Sequence, residues 1–353
     1  MNGGAHEGVR MTTNYLITGG AGFIGSNYAY RLLKKGEKVT IFDNLSRQGA
    51  ERNIHWLESK FGKNSFELIQ ADVRDLDALD KAVPGKQVIL HLAAQVAVTT
   101  SVTDPREDFE INALGTFNLL EAARKTGDFP IILYSSTNKV YGGMENVAVQ
   151  ELDTRYAYAD YPFGINEKYP LDFHSPYGCS KGCGDQYMRD YHRIYGLRTV
   201  VFRQSCIYGS RQFGVEDQGW LAWFVIAAVQ GREITIYGDG KQVRDVLYIT
   251  DLLDAYDSAI TNIDKAVGEV FNVGGGPANT ISVWREFAPI LEEKLGKKVP
   301  TSFSSWRPGD QKIYVSDIRT AGKKLNWNPK VGVDEGIANL IEWVQHMEKD
   351  LSA

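Results

Sequence analysis

The chain has 353 residues, enough for one large α/β unit or two domains, and its 43% hydrophobic and 24% charged content is that of an ordinary globular protein. A net charge of −5 excludes the clustered basic footprint of a nucleic-acid binder. The longest strongly apolar run, "WLAWFVIAAV" at 220–229, is about half a membrane span and reads as a buried helix.

Residues 1–10, "MNGGAHEGVR", lack the apolar core of a secretion signal and are expected to be a disordered tail or a remnant foreign to the fold. Strand-like runs then follow at 14–20, 38–43, 66–72, 87–94, 129–136 and 197–203. Most are continuously apolar, as parallel strands covered on both faces are. The segments between them have helical length, as at 23–35, 108–125 and 178–195. This alternation predicts an α/β fold, a Rossmann-type doubly wound parallel sheet. After about 205 the pattern gives way to loops rich in Gly, Gln and aromatics, a late strand at 269–276 and helices near 283–295 and 334–348. The expected division is 11–204 with about 246–276 as the dinucleotide-binding domain. About 205–245 and 277–353 form a smaller, discontinuous α/β domain over the C-terminal edge of the sheet. Cys179, Cys183 and Cys206 are odd in number and lack metal-type spacing with histidine, so no metal site is expected. They read as reduced thiols of a cytoplasmic protein.

"TGGAGFIGS" (18–26) joins the first strand to the first helix and carries Gly19, Gly22 and Gly25. Glycines at this spacing permit a tight turn and let a pyrophosphate approach the amides of a helix N-terminus. Asp43 closes the second strand, where a carboxylate accepts both hydroxyls of an adenosine ribose and repels a 2′-phosphate. That favours NAD over NADP, with nearby Arg47 arguing the other way; a turn cap is the plain alternative for Asp43. Asp72, ending the third strand, is placed to reach the adenine amino group or to serve as a turn carboxylate. Phe23, Ile24, Asn44, Ser46 and Val73 flank these positions and are expected in the same cofactor site.

"SPYGCSKGCGDQYM" (175–188) contains Tyr177 and Lys181, which a helix places on one face, roughly 6 Å apart at Cβ. A free phenol titrates at about 10, so a tyrosine base at neutral pH needs about 4 kcal/mol of stabilisation. A lysine ammonium and an oxidised nicotinamide are the obvious sources. Thr137 ends the fifth strand, at the edge where a doubly wound sheet holds its ligand, and its hydroxyl can bond the oxygen whose proton Tyr177 removes. Local backbone capping is the alternative for Thr137 and for Ser135, which is assigned to the cofactor side.

Together with "HLAAQ" (91–95) and Asn112 in "NALGT", these residues resemble the extended short-chain dehydrogenase/reductase family, in its nucleotide-sugar branch, over about 13–345. The resemblance implies a catalytic triad of Thr137, Tyr177 and Lys181. It also implies a nicotinamide wall of Ala93, Ala94 and Gln95, with Leu92 and Asn112 on the cofactor side. "QVRDVLYITD" (242–251) and "WRPGDQKIYVSD" (306–317) resemble segments that hold a nucleoside diphosphate. Arg244 and Arg307 would pair with phosphate, for which a planar fork of donors suits, and Asp310 with the ribose hydroxyls. Surface arginines on loops are the alternative.

The sugar dehydratases of this family carry an acidic pair after the threonine. Here Asn138 and Lys139 stand in those places, and neither can act as that general acid. Dehydration is therefore disfavoured, and epimerisation by hydride removal and return is expected. "STNKVYG", "QVAVTTSVTDP" (95–105), "DFHSPYGCSKG" (172–182) and "YGSRQFGVEDQGWLAWF" (208–224) are similar to the 2-epimerases that act on CDP-linked dideoxyhexoses. The last segment is expected to line the substrate side. The substrate set implied is Gln95, Thr137, Asn138, Lys139, Ser205, Gln218, Arg244, Arg307 and Asp310. The partners expected are a nucleotide sugar and further copies of the chain, through helices 108–125 and 178–195, with no nucleic acid and no membrane. Epimerisation of another nucleotide sugar, or an inert NAD-sensing module, are the rival readings.

Overall fold

The computed structural model describes residues 12–352 apart from 217, 308 and 309; the expected tail at 1–10 lies outside them. Strands β1 (Asn14–Thr18), β2 (Lys38–Asp43), β3 (Glu67–Gln70), β4 (Val88–His91) and β5 (Ile131–Thr137) come first. They alternate with α1 (Phe23–Lys34), α2 (Ala50–Phe61), α3 (Leu76–Ala82) and a broken helical stretch, α4 (Val98–Thr103), α5 (Pro105–Phe109) and α6 (Gly115–Thr126). A short antiparallel pair, β6 (Val149–Glu151) and β7 (Tyr156–Tyr158), precedes the long α7 (Ser175–Tyr195), which feeds β8 (Arg198–Gln204). The remainder runs β9 (Cys206–Tyr208), α8 (Trp220–Val229), β10 (Ile234–Tyr237), β11 (Val243–Tyr248), α9 (Ile249–Thr261), α10 (Ile263–Ala266) and β12 (Val270–Val273). It ends with β13 (Thr280–Ser282), α11 (Phe287–Leu295), β14 (Thr301–Ser304), β15 (Ile313–Tyr314), α12 (Arg319–Leu325) and α13 (Val333–Ser352).

Seven parallel strands form the main sheet in the order β12-β8-β5-β4-β1-β2-β3. Successive strand residues face opposite sides, so the apolar runs feed two cores. Leu16, Ile89, Ile132 and Tyr134 meet Leu79, Leu119, Leu120 and Met188 from α3, α6 and α7. Ile17, Ile41, Leu90 and Leu133 meet Tyr28, Leu57, Leu252 and Tyr256 from α1, α2 and α9. The second core continues without a break into Phe224, Phe287, Leu291, Leu340 and Val344 of α8, α11 and α13. Helix α8 is apolar all round and buried, as its composition predicts.

The order reverses between β1 and β4, so the C-terminal ends of these two strands flank a crevice, the usual ligand position in such sheets. Two expectations differ from the structure. The helix predicted over 108–125 is interrupted by a π turn at Glu110–Leu114, and the loop-rich region after 205 contains strands. There β10 pairs with β14, and β11 pairs with β9, β13 and β15. These strands are two to six residues long. Their partners lie far away in the chain, so no local pattern marks them.

Candidate active site

The crevice opens on the turn between β1 and α1. Gly19 has φ +70°, and a Cβ there would stand 2.7 Å from the Ala93 nitrogen. A Cβ on Gly25 would fall on the Gly19 carbonyl oxygen. No side chain fits at either position, so the backbone itself forms the floor. Gly22 begins α1 without a side-chain cap, leaving first-turn amides directed at the crevice.

At the end of β2, Asp43 accepts hydrogen bonds from the Ala21 amide (2.9 Å) and the Leu45 amide (2.8 Å). Burial pushes its pKa up, and these bonds hold it down. The turn-brace reading of Asp43 is thus realised, and each oxygen keeps a further lone pair. Asn44 donates to Asp72 (2.9 Å), whose pKa falls to about 2 because Arg74 bonds it. Asn44 also accepts from the Ser46 hydroxyl.

A single cleft of about 610 Å³ gathers most of the expected residues. Gly19, Gly22, Phe23, Ile24 and Gly25 line its floor, and Asp43, Asn44, Ser46, Arg47, Asp72 and Val73 the rim beyond β2 and β3. Leu92, Ala93, Ala94, Gln95 and Ser135 form the opposite wall; Thr137, Tyr177, Lys181, Ser205 and Gln218 complete the far end. Asn112 is a correction. It is 1% exposed, and its side chain bonds the Gln95 amide and carbonyl (both 2.9 Å), so it braces the wall from behind.

Thr137 ends β5, where its hydroxyl accepts from the Lys139 amide (3.2 Å) and caps a 3-10 turn over Asn138–Tyr141. The backbone-capping alternative therefore operates, and the same hydroxyl lies near enough to Tyr177 to hold its phenol down. Burial, with the Asp108 charge, pushes that phenol up to about 12; the Thr137 hydroxyl and the Arg47 charge pull the other way. Lys181 is 3% exposed, lies 4.3 Å over the Tyr134 ring, and is driven down to about 7 by burial. Desolvation dominates the Tyr177 shift, and the Arg47 charge opposes it.

Asn138, Lys139, Arg244, Arg307 and Asp310 stand beside this cleft rather than on its wall. Lys139 Nζ reaches Gln311 Oε1 (3.5 Å), and burial with the Arg244 charge lowers its pKa. Arg244 donates to Asp310 (2.7 Å), so the two residues assigned to phosphate and ribose satisfy each other. The Arg307 guanidinium lies 3.9 Å over the Tyr237 ring. Ser205 donates to Asp245, and Cys206 is half-buried near the Arg244 and Lys139 charges. The 208–224 segment was expected on the substrate side. Within it, Phe213 packs on Gly49 of the β2–α2 connection, under Arg52 (4.7 Å) and against Trp343 (5.6 Å), while Gln218 lines the cleft. Phe213 and Val215 line the same cleft as Asp43.

Sequence reasoning missed Gln204, which ends β8 at the ligand edge and lines the cleft; the strand-end rule that found Thr137 would have found it. It also missed Gln311, 4% exposed and donating to the Gly142 carbonyl (2.5 Å). Phe213 carried no local signal, because its contact with Gly49 spans most of the sheet domain.

A glycine cradle that a Cβ would fill, uncapped helix amides and a strand-end carboxylate are the donor and acceptor set that suits NAD. The model of the GDP-mannose 4,6 dehydratase family matches residues 16–340. The chain is 45% identical over 335 residues to the CDP-paratose 2-epimerase of Salmonella typhi, covering 93% of this chain and 98% of that protein. UDP-glucose 4-epimerase of Thermotoga maritima, solved with UDP-glucose, superposes with a TM-score of 0.80 at 30% identity, over 95% of this chain and 100% of that one. UDP-glucuronic acid 4-epimerase of Bacillus cereus, solved with UDP-glucuronic acid and NAD, gives 0.81 at 28% identity, over 95% and 100%. Sheet order, cofactor cradle and a family match along most of its length agree: the chain belongs to the NAD-dependent nucleotide-sugar epimerases and dehydratases of the extended short-chain dehydrogenase/reductase family.

Proposed function

We propose that this enzyme inverts C2 of a CDP-linked dideoxyhexose, converting CDP-paratose to CDP-tyvelose through a 2-keto sugar. The observation that carries this reading is the end of β5. Thr137 and Tyr177 both line the cleft end, and the two residues after Thr137 are Asn138 and Lys139. With no carboxylic acid in those two places, the general acid that dehydration needs is missing there. The relative from Salmonella typhi supports the choice of C2 and of cytidine.

Bound NAD would supply the hydride acceptor and donor that inversion at C2 requires. Tyr177 takes the proton from the sugar O2, and the Thr137 hydroxyl bonds that oxygen as it becomes a carbonyl. Lys181 would hold the nicotinamide ribose. The floor glycines and the rim from Asp43 to Val73 hold the cofactor, as do the wall residues Leu92–Gln95 and Ser135. Gln95, Asn138, Lys139, Ser205 and Gln218 contact the sugar, and Arg244, Arg307 and Asp310 the nucleoside diphosphate. The Arg244–Asp310 pair supports that assignment, since a phosphate would exchange one partner of Arg244 for another.

Residues 11–204 with about 246–276 serve the cofactor; about 205–245 and 277–353 serve the nucleotide sugar. Membership of the main sheet by β12 supports that division. Among the described residues no helix is long and apolar enough to cross a membrane. A cytoplasmic setting is supported by the three free thiols. A dimer through the 108–125 and 178–195 regions is supported by exposed Phe109, Leu114, Tyr187, Ile194 and Tyr195.

The test is a substrate deuterated at C2, turned over in ordinary water. Retention of the label at C2 of the product is expected. Washout to solvent would mean deprotonation chemistry and would sink the hydride scheme. A parallel panel of CDP-, UDP-, GDP- and dTDP-sugars decides the nucleotide; fastest turnover of a UDP-sugar overturns the cytidine assignment.

A further inference from the structure

Asp108, at the end of α5, is a carboxylate with 0% exposure whose hydrogen-bond partners are all neutral. Oδ2 accepts from the Ser180 hydroxyl at 2.5 Å. Oδ1 accepts from the Gln95 side-chain amide at 2.8 Å and from the Asn112 amide at 3.1 Å. Burying a carboxylate on neutral donors is costly, so its retention calls for a return elsewhere.

The partners sit on two different walls. Gln95 lies on the cleft wall beyond β4, and Asn112 clamps the same residue through its backbone. Ser180 lies on α7 directly before Lys181, and its hydroxyl also reaches the Tyr177 carbonyl at 3.2 Å. The π turn Glu110–Leu114 follows immediately after α5 and carries Asn112. Such turns inside helices concentrate at functional sites.

We propose that Asp108 is a positioning residue that ties the Gln95 wall to the Tyr177–Lys181 segment, fixing the distance between the cofactor side and the base. The inference rests on the hydride reading given under Proposed function. Among the charges near Lys181, Asp108 is the first that offsets the effect of burial on its ammonium, and the same charge pushes the Tyr177 phenol up. Its own pKa is raised by burial and restrained by the Ser180 and Gln95 bonds.

The test combines amide hydrogen exchange with steady-state kinetics on full-length protein. In Asp108→Ala, exchange should quicken in both 93–97 and 176–182. There kcat should fall about 100-fold, the cost of an ångström-scale misplacement, while KM and bound NAD change less than about threefold. Asp108→Asn keeps acceptors for Gln95 and Asn112 and offers Ser180 a donor, so kcat should recover to within about tenfold of the parent. Unchanged exchange in both segments, or unchanged kcat, overturns the proposal. So does parallel loss of kcat and bound NAD, the mark of a merely structural residue. If Asp108→Ala fails to fold, Ser180→Ala removes the α7 end of the tie, where the hydroxyl donates to Asp108 and accepts from the Asn112 side chain (3.0 Å). A kcat about tenfold lower at constant KM supports the tie, and parental kcat overturns it. Should the parent enzyme turn over no nucleotide sugar, the hydride reading fails by itself, while the exchange experiment still decides whether Asp108 joins the two walls.

Discussion

At the scale of single residues, burial moves Tyr177 and Lys181 toward neutrality from opposite sides, the phenol up to about 12 and the ammonium down to about 7. Below its pKa a phenol is protonated, so the protein alone holds Tyr177 in its acid form at neutral pH. The base form needs added positive charge beside the oxygen. An oxidised nicotinamide is cationic and a reduced one is neutral. Tyrosinate absorbance, taken as the difference between the parent and Tyr177→Phe, should therefore appear at lower pH in NAD⁺-loaded than in NADH-loaded protein. Equal titration of the two forms would remove the cofactor from the activation of the base. In the same variant, kcat should fall by about 10²–10⁴-fold, the span ascribed to general base catalysis.

Among elements, α7 is fastened to the sheet by one buried ion pair. Asp185 takes a bidentate contact from Arg203 of β8, at 2.8 and 3.0 Å, and a bond from Ser136 of β5. Arg203 continues to Tyr141, whose hydroxyl donates to Asn272 of β12. The side chains of the pair are 2% and 0% exposed. Removing one partner leaves the other charge buried, which costs about 3–5 kcal/mol, whereas replacing both with apolar groups is often near neutral. Arg203→Met should thus lower stability to urea by that amount, and Arg203→Met with Asp185→Leu should recover most of it. A double variant as unstable as the single one would show that the pair itself, rather than the stranded charge, sustains α7.

Over the whole molecule, the segment around Phe213 links the C-terminal region to the cofactor side. Phe213 is held by Arg52, Gly49 and Trp343, and Arg211 lies 4.2 Å over the Trp56 ring. These contacts close one side of the cleft that Asp43 and Arg47 line. Phe213→Ala should release NAD about tenfold faster, equivalent to a loss of about 1.4 kcal/mol, with the sugar KM within about threefold. Stopped-flow exchange against a fluorescent NAD analogue measures the first, and an unchanged release rate would deny the segment any part in holding the cofactor.

The sequence by itself determined the parallel sheet, because strands buried on both faces must be continuous apolar runs, and it determined the glycine turn with its strand-end carboxylate. Thr137, Tyr177 and Lys181 were legible for the same reason: each sits at a position set by local geometry, a strand end or one helix face. Only the tertiary structure decided the rest. It set Asn112 behind the wall, brought Phe213 onto Gly49, paired Arg244 with Asp310 and converted the helix at 110–114 into a π turn. Each of these depends on which distant segments share a surface, and on the desolvation that follows when they meet, neither of which has a local periodicity. The pKa values of Tyr177 and Lys181 belong to that second group, since burial and not composition moved them.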